Sequence, residues 1–356
     1  MTQRRIASVR KAMHDRRLDA LLVSSRSRIR FLSGFSGSHA LLVLRSRAAF
    51  FITDGRYVLQ SRSEVKHFRR CIAKQSLLEE AAAQRMFLRA RRVGIEADNL
   101  TLAQYRNLRK LFRGTTFVPA DDLVDDIAIV KEPEEVENIR RAAAISDTVF
   151  SEILDSIRPG VRERDVAAEI SFRHKSHGAE QDAFEPIVAS GERGALPHAR
   201  ATDRKLRRGD MVTLDFGCSH RGYHCDLTRT VSVGKVSRRQ REIYNVVLAA
   251  QQEAINAARG GMLARDLDSV ARSFIARHGY GKFFSHSLGH GLGLEIHERP
   301  RISAFSKDRL AAGNVITIEP GVYIPGIGGV RIEDDVLVKN DGCEVLTTAP
   351  RELMII

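Results

Sequence analysis

The chain has 356 residues, 43% of them hydrophobic and 28% charged, an ordinary globular composition too long for a single core, so disordered and fibrous classes are excluded and two domains are expected. No apolar run approaches the roughly 20 residues a spanning helix needs, and residues 1–22 lack the apolar core of a secretion signal, so a cytoplasmic protein with no membrane partner is expected. The net charge of +13 raises nucleic-acid binding, but the basic segments, 26–30 and 204–208 among them, are scattered and lack interleaved aromatics, so a solvated arginine-rich surface and no nucleic-acid partner are expected.

In chain order, apolar periodicity predicts a helix over 3–17, a short strand over 20–24, strands over 40–44 and 48–53, and helices over 77–90 and 102–111. This is an α/β domain of modest size. An acidic stretch at 121–126 runs into Lys131, Glu132 and Pro133, a helix-start signal, which divides the chain into domains 1–125 and 126–356. Cys71, Cys218, Cys225 and Cys343 show no paired spacing, so no disulfide framework is expected.

The second domain contains an internal repeat. Residues 209–217 (GDMVTLDFG) align with 313–321 (GNVITIEPG) at a constant offset of 104, placing Asp215 in register with Glu319. Upstream, 164–178 aligns with 265–279 at an offset of 101, so each half reads helix, helix, strand, strand. Two halves facing across a pseudo-twofold axis would bring Asp215 and Glu319 together. Within the hairpins, period-2 spacing puts Asp226 with Thr228 on one face and Arg331 with Glu333 on another, and matching Asp226 to Glu333 requires three extra residues in the second hairpin.

An aspartate at a strand end is usually a turn former, but 212–216 and 315–318 read as buried strands, where an unpartnered carboxylate costs several kcal/mol. Such residues demand cations or donors, either divalent metals or a structural network with Arg229 and Arg331. Asp215, Asp226, His290, Glu319 and Glu333 are too acidic a set for a structural zinc knot and suit two adjacent divalent cations, a site that activates water and points to a hydrolase. Glycines flank His290 and would let its imidazole approach a metal closely; no Walker-type ending and no H-E-x-x-H pattern is present. His224 shares the face of Asp226 and is expected near the site.

These residues, with His198 upstream and His297 downstream, resemble the pita-bread metallopeptidases, in the branch of aminopeptidase P and prolidase. Residues 35–38 (FSGS) and 54–57 (DGRY) resemble the creatinase-type N-terminal domain of that branch. The resemblance implies an α/β N-terminal domain followed by an α+β pita-bread catalytic domain that cleaves the bond before proline in peptides. It implies that Asp226 and Glu333 bridge two metal ions, with Asp215 completing one site and His290 and Glu319 the other. Glu319 would be the base, His198 and His297 would stabilise the tetrahedral intermediate, and His286 and Arg331 would line the pocket near the proline. Oxygen-rich ligation favours Mn2+, with Co2+ or Zn2+ as alternatives. A homodimer or homotetramer is implied. The two N-terminal segments favour an Xaa-Pro aminopeptidase, with the Xaa-Pro dipeptidase as the alternative and a creatinase-like amidinohydrolase or a non-catalytic binding relative more remote.

Overall fold

Short apolar runs, each preceded or followed by a helix, fold the first unit, residues up to Ala128, around one six-stranded sheet in the computed structural model, which describes residues 2–356. Its helices are α1 (Thr2–Asp15), α2 (Arg26–Ser33), α3 (Val58–Glu64), α4 (Leu77–Ala83), α5 (Leu102–Leu111) and α6 (Asp122–Ala128). Its strands are β1 (Ala20–Val23), β2 (Ala40–Arg45), β3 (Ala49–Asp54), β4 (Arg69–Ala73), β5 (Arg92–Ile95) and β6 (Thr116–Pro119), in the order β4-β3-β2-β1-β5-β6. Only β2 runs against the others.

Helix α4 departs from expectation. A capping box between Ser76 and Glu79 starts it, but it stops at Ala83 and not at residue 90. Arg85 and Arg89 then take left-handed backbone, φ 51° and 63°, and the resulting turns deliver Met86 and Phe87 into the core. Segment 26–30, read as basic surface, begins α2, whose Ile29, Phe31 and Leu32 are buried beneath its arginines.

The second unit, Ile129–Ile356, is built twice. Helices α7 (Pro133–Ile153) and α8 (Glu163–Ser176) precede β7 (Gln181–Asp182), β8 (Ile187–Ser190), β9 (Met211–Phe216), β10 (Cys218–His220), β11 (Tyr223–His224) and β12 (Leu227–Ser232). Then come α9 (Arg238–Ala257), α10 (Ala264–Arg277), β13 (Gly289–Gly291), β14 (Glu298–Ile302), β15 (Val315–Ile318), β16 (Gly321–Ile324), β17 (Gly328–Arg331), β18 (Asp334–Lys339) and β19 (Gly342–Val345). Helices α8 and α10 are both 14 residues long and keep the 101-residue offset at both ends. An antiparallel sheet β8-β9-β12 serves one half and β14-β13-β15-β18-β19 the other. Each is backed by its own helices, Val149 and Ile170 against Val212 and Leu214 in the first, Val247 and Leu267 against Ile316 and Val336 in the second.

A hairpin leaves each central strand just past the in-register carboxylate. The first turns over two residues between His220 and Tyr223; the second turns over three between Ile324 and Gly328. The first returns to Asp226 three residues after Tyr223, the second to Glu333 five after Gly328, so the three extra residues fall as one in the turn and two on the returning arm.

The halves are tied by Arg229, 1% exposed, whose guanidinium donates to the Thr228, Glu333, Ala349 and Pro350 carbonyls and to Asp334 Oδ1 at 2.7 Å. Removing one partner of a buried ion pair typically costs about 3–5 kcal/mol. Arg229→Ala is therefore expected to lose about that much in urea unfolding, with a lowered midpoint at unchanged slope.

A candidate metal centre built by two hairpins

Asp215 is the penultimate residue of β9 and Glu319 follows β15, while Asp226 and Glu333 stand where the two hairpins return. The architecture thus converges the four carboxylates from both halves. Carboxylate oxygens of Asp226 and Glu333 and a ring nitrogen of His290 lie within 4.8 Å of one another. His290 Nε2 is 3.6 Å from Asp226 Oδ2 and 3.5 Å from Glu319 Oε1. Its Nδ1–H donates to the Gly291 carbonyl at 3.0 Å, which leaves Nε2 with its lone pair toward the carboxylates.

The glycines beside His290 act differently from expectation. A methyl at Gly289 would run into the Thr317 carbonyl, and one at Gly291 into the Arg299 carbonyl. Their smallness lets β13 press between β14 and β15, and it is this backbone packing that delivers His290. His224 is close but turned away, its Nδ1 and backbone N–H both on the Gly293 carbonyl at 3.1 and 2.8 Å.

Arg331 threads the cluster. Its Nη2 meets Asp215 Oδ2 at 2.5 Å, Nη1 reaches Tyr323 Oη at 2.7 Å and the Pro197 carbonyl at 3.2 Å, and Nε reaches Thr228 Oγ1 at 3.2 Å. Thr228 in turn donates to Glu333 Oε2 at 2.6 Å. Tyr323 Oη also pairs with His286 Nε2 at 2.8 Å. His297 packs its ring 4.4 Å from that of His290, and exposed His198, next to Pro197, acts electrostatically on both His286 and His297. The structure therefore assembles all nine sequence-predicted residues in one region. Sequence reasoning missed Tyr323, which nothing marked in the second hairpin, and Arg301, whose Nε contacts Ser287 Oγ at 3.2 Å and whose charge reaches His290 and His297.

The donor set fits a divalent cation. Asp215 Oδ1, Asp226 Oδ1 and Glu333 Oε1 are buried with no hydrogen-bond partner, which is costly unless a cation takes them. Burial, reinforced by the neighbouring carboxylates, holds Asp226 and Glu333 well above the ordinary carboxylate range. Burial pushes Glu319 up to about 8 against the pull of Arg331 and with help from Asp215, and it draws His290 down to about 4.

The fold, a two-half sheet sandwich with carboxylates and one histidine at its centre, defines a metal-dependent hydrolase with the expected pita-bread architecture. The chain belongs to metallopeptidase family M24, whose family model matches residues 137–340, and the Creatinase/Prolidase N-terminal domain matches residues 5–130. It is 39% identical over 355 residues to the Xaa-Pro dipeptidase of Pyrococcus furiosus, covering 98% of this chain and 99% of that one. Among solved structures it is similar to a Xaa-Pro dipeptidase from Bacillus anthracis (39% identity, TM-score 0.98, 100% of both chains). It is also similar to an X-Pro aminopeptidase from Thermotoga maritima (38% identity, TM-score 0.91, 97% of this chain and 100% of that one).

A pH dependence follows. The folded protein without metal holds a proton on Glu319 between its ordinary 4.5 and about 8, whereas the unfolded chain has lost it, so stability falls as pH rises through that window. The chelated protein is expected to melt at progressively lower temperature from about pH 6.5 to 8, above the range in which the lowered His290 and His286 oppose the trend, and saturating divalent cation to raise the melting point most at the upper end. Calorimetry with and without chelator checks both.

Proposed function

We propose that this protein is an Xaa-Pro dipeptidase, hydrolysing the bond before proline in dipeptides with two divalent cations held by Asp215, Asp226, His290, Glu319 and Glu333. The observation that carries the reading is full-length likeness, at 39% identity, to a relative named Xaa-Pro dipeptidase. The aminopeptidase preference drawn from 35–38 and 54–57 gives way to its alternative, because dipeptidases and prolidases predominate among the full-length relatives at comparable identity. The orphaned buried carboxylate oxygens argue against a metal-free amidinohydrolase or a ligand-less binding protein.

Bound cations at this centre supply Lewis-acid polarisation of the peptide carbonyl and acidify water. Oxygen-rich donors favour manganese, with cobalt or zinc as competent substitutes. Glu319 takes a proton from water and returns it to the leaving nitrogen, its carboxylate standing beside the donor set with Oε1 3.5 Å from His290 Nε2. His198 and His297 donate toward the developing oxyanion. Arg331, its donors engaged by Asp215, Tyr323, Thr228 and Pro197, orients Asp215 and lines the pocket with His286. That engagement leaves the dipeptide's terminal carboxylate to Arg301, which is exposed, forms no ion pair among the described residues and sits beside His297. No helix among the described residues is long and apolar enough to cross a membrane. A cytoplasmic homodimer or homotetramer belongs to the same proposal and rests on the family resemblance.

Manganese-loaded enzyme is expected to cleave an Xaa-Pro dipeptide far faster than the matched Xaa-Pro-Yaa tripeptide, and Arg301→Ala to raise KM for the dipeptide about tenfold or more. Faster cleavage of the tripeptide would return the reading to the aminopeptidase. Glu319→Gln is expected to fold and to lose about 10²–10⁴ in kcat, and near-normal turnover would remove it from the role of base.

A further inference from the structure

The positive charge is confined to one unit. Of the 57 Lys and Arg and 44 Asp and Glu, 25 and 12 fall in residues 1–128, leaving 32 of each in the rest of the chain. The whole excess of +13 therefore lies in the first unit, and sheet topology sorts it further. Strands β1, β3, β4, β5 and β6 all start at one end of the sheet, where antiparallel β2 finishes. Cations scattered along the sequence meet there: Arg47 in the β2–β3 turn, Arg69 opening β4, Arg89, Arg91 and Arg92 leading into β5, and Arg113 before β6, all exposed and in no ion pair among the described residues.

The carboxylates gather at the opposite, strand-finishing end. Asp54 ends β3, and Glu96, Asp98 and Asp121 follow β5 and β6; there Arg56 pairs with Asp54, and Arg28 with Asp98 and Asp125. At the basic end the acidic groups include Asp15, beside His14, and Asp19, which accepts the backbone N–H groups of Arg91 and Arg92, while Asp122 and Asp126 reach Arg16 of the α1–β1 connection and neutralise that one arginine. Six strands at about 4.8 Å spacing make this end a row roughly 24 Å wide. Leu88 stands within it, 55% exposed, on the turn held by left-handed Arg85 and Arg89, with its carbonyl fixed by Arg45 Nη2 at 2.9 Å.

We infer that the strand-starting end of the first unit docks on an anionic lipid bilayer, its arginines on headgroup phosphates and Leu88 in the acyl boundary. Arginine forks suit phosphate bidentately, and each basic side chain near an anionic leaflet contributes about fivefold in affinity. The exposed leucine selects lipid over nucleic acid. A phosphodiester backbone offers Leu88 nothing, and none of the six arginine positions is interleaved with an exposed aromatic on which bases would stack.

The test is co-sedimentation of the full chain with vesicles of phosphatidylcholine alone or with about 30% phosphatidylglycerol, alongside a short DNA duplex in the same buffer. Binding only to the anionic vesicles, released at high salt, reduced tenfold or more by Arg47→Glu with Arg91→Glu and severalfold by Leu88→Ser, with peptidase activity intact in every variant, is the expected result. Failure to bind anionic vesicles overturns the inference, as does equal binding to neutral ones. Tighter binding to the duplex with no effect of Leu88→Ser also overturns it and assigns the surface to nucleic acid.

Discussion

Mutual repulsion among buried carboxylates is the constraint on which the second unit depends. Asp215, Asp226, Glu319 and Glu333 are brought into one region with little water to screen them, so the polypeptide alone can satisfy the cluster only by protonation or by counter-charge. Arg331 supplies one counter-charge, on Asp215. The remaining lone pairs, on Asp226, Glu333 and the free nitrogen of His290, fit a cation, so cation affinity and folding stability become one quantity.

Duplication explains how so costly an arrangement is built. Neither half contains the whole donor set: the first brings Asp215 and Asp226, the second His290, Glu319 and Glu333. Cross-half bonds hold the assembly, among them Thr228 to Glu333, Asp335 to the Asp226 N–H, and Arg229 to Asp334. The two hairpins are unequal where the added length matters. In the longer second one Tyr323 of the outgoing arm meets Arg331 of the lengthened returning arm as well as His286, and the shorter first one turns tightly through Arg221 at φ 48° and Gly222 at φ 81°.

What was legible in the sequence was whatever is written in period and register. The buried strands around Asp215 and Glu319 show as apolar runs, the helices α8 and α10 as a 101-residue echo, and the hairpin extension as a mismatch in offset. What was not legible depends on contacts between distant segments. The end of α4 is set by where Met86 and Phe87 find a core, Gly289 and Gly291 are small because of carbonyls on neighbouring strands, and Tyr323 gains its place only through Arg331. The arginines of the first unit look scattered in the sequence because strand direction, invisible there, decides which connections share an end.

The pseudo-twofold relation also makes the catalytic unit its own experimental reference. Leu214 and Ile318 occupy equivalent places one residue before the paired carboxylates, and both are fully buried. Truncating each to alanine would compare two register-equivalent positions within a single molecule, under identical solvent, temperature and chain length. Any inequality between the two would measure how far the halves have drifted apart in the burden they carry.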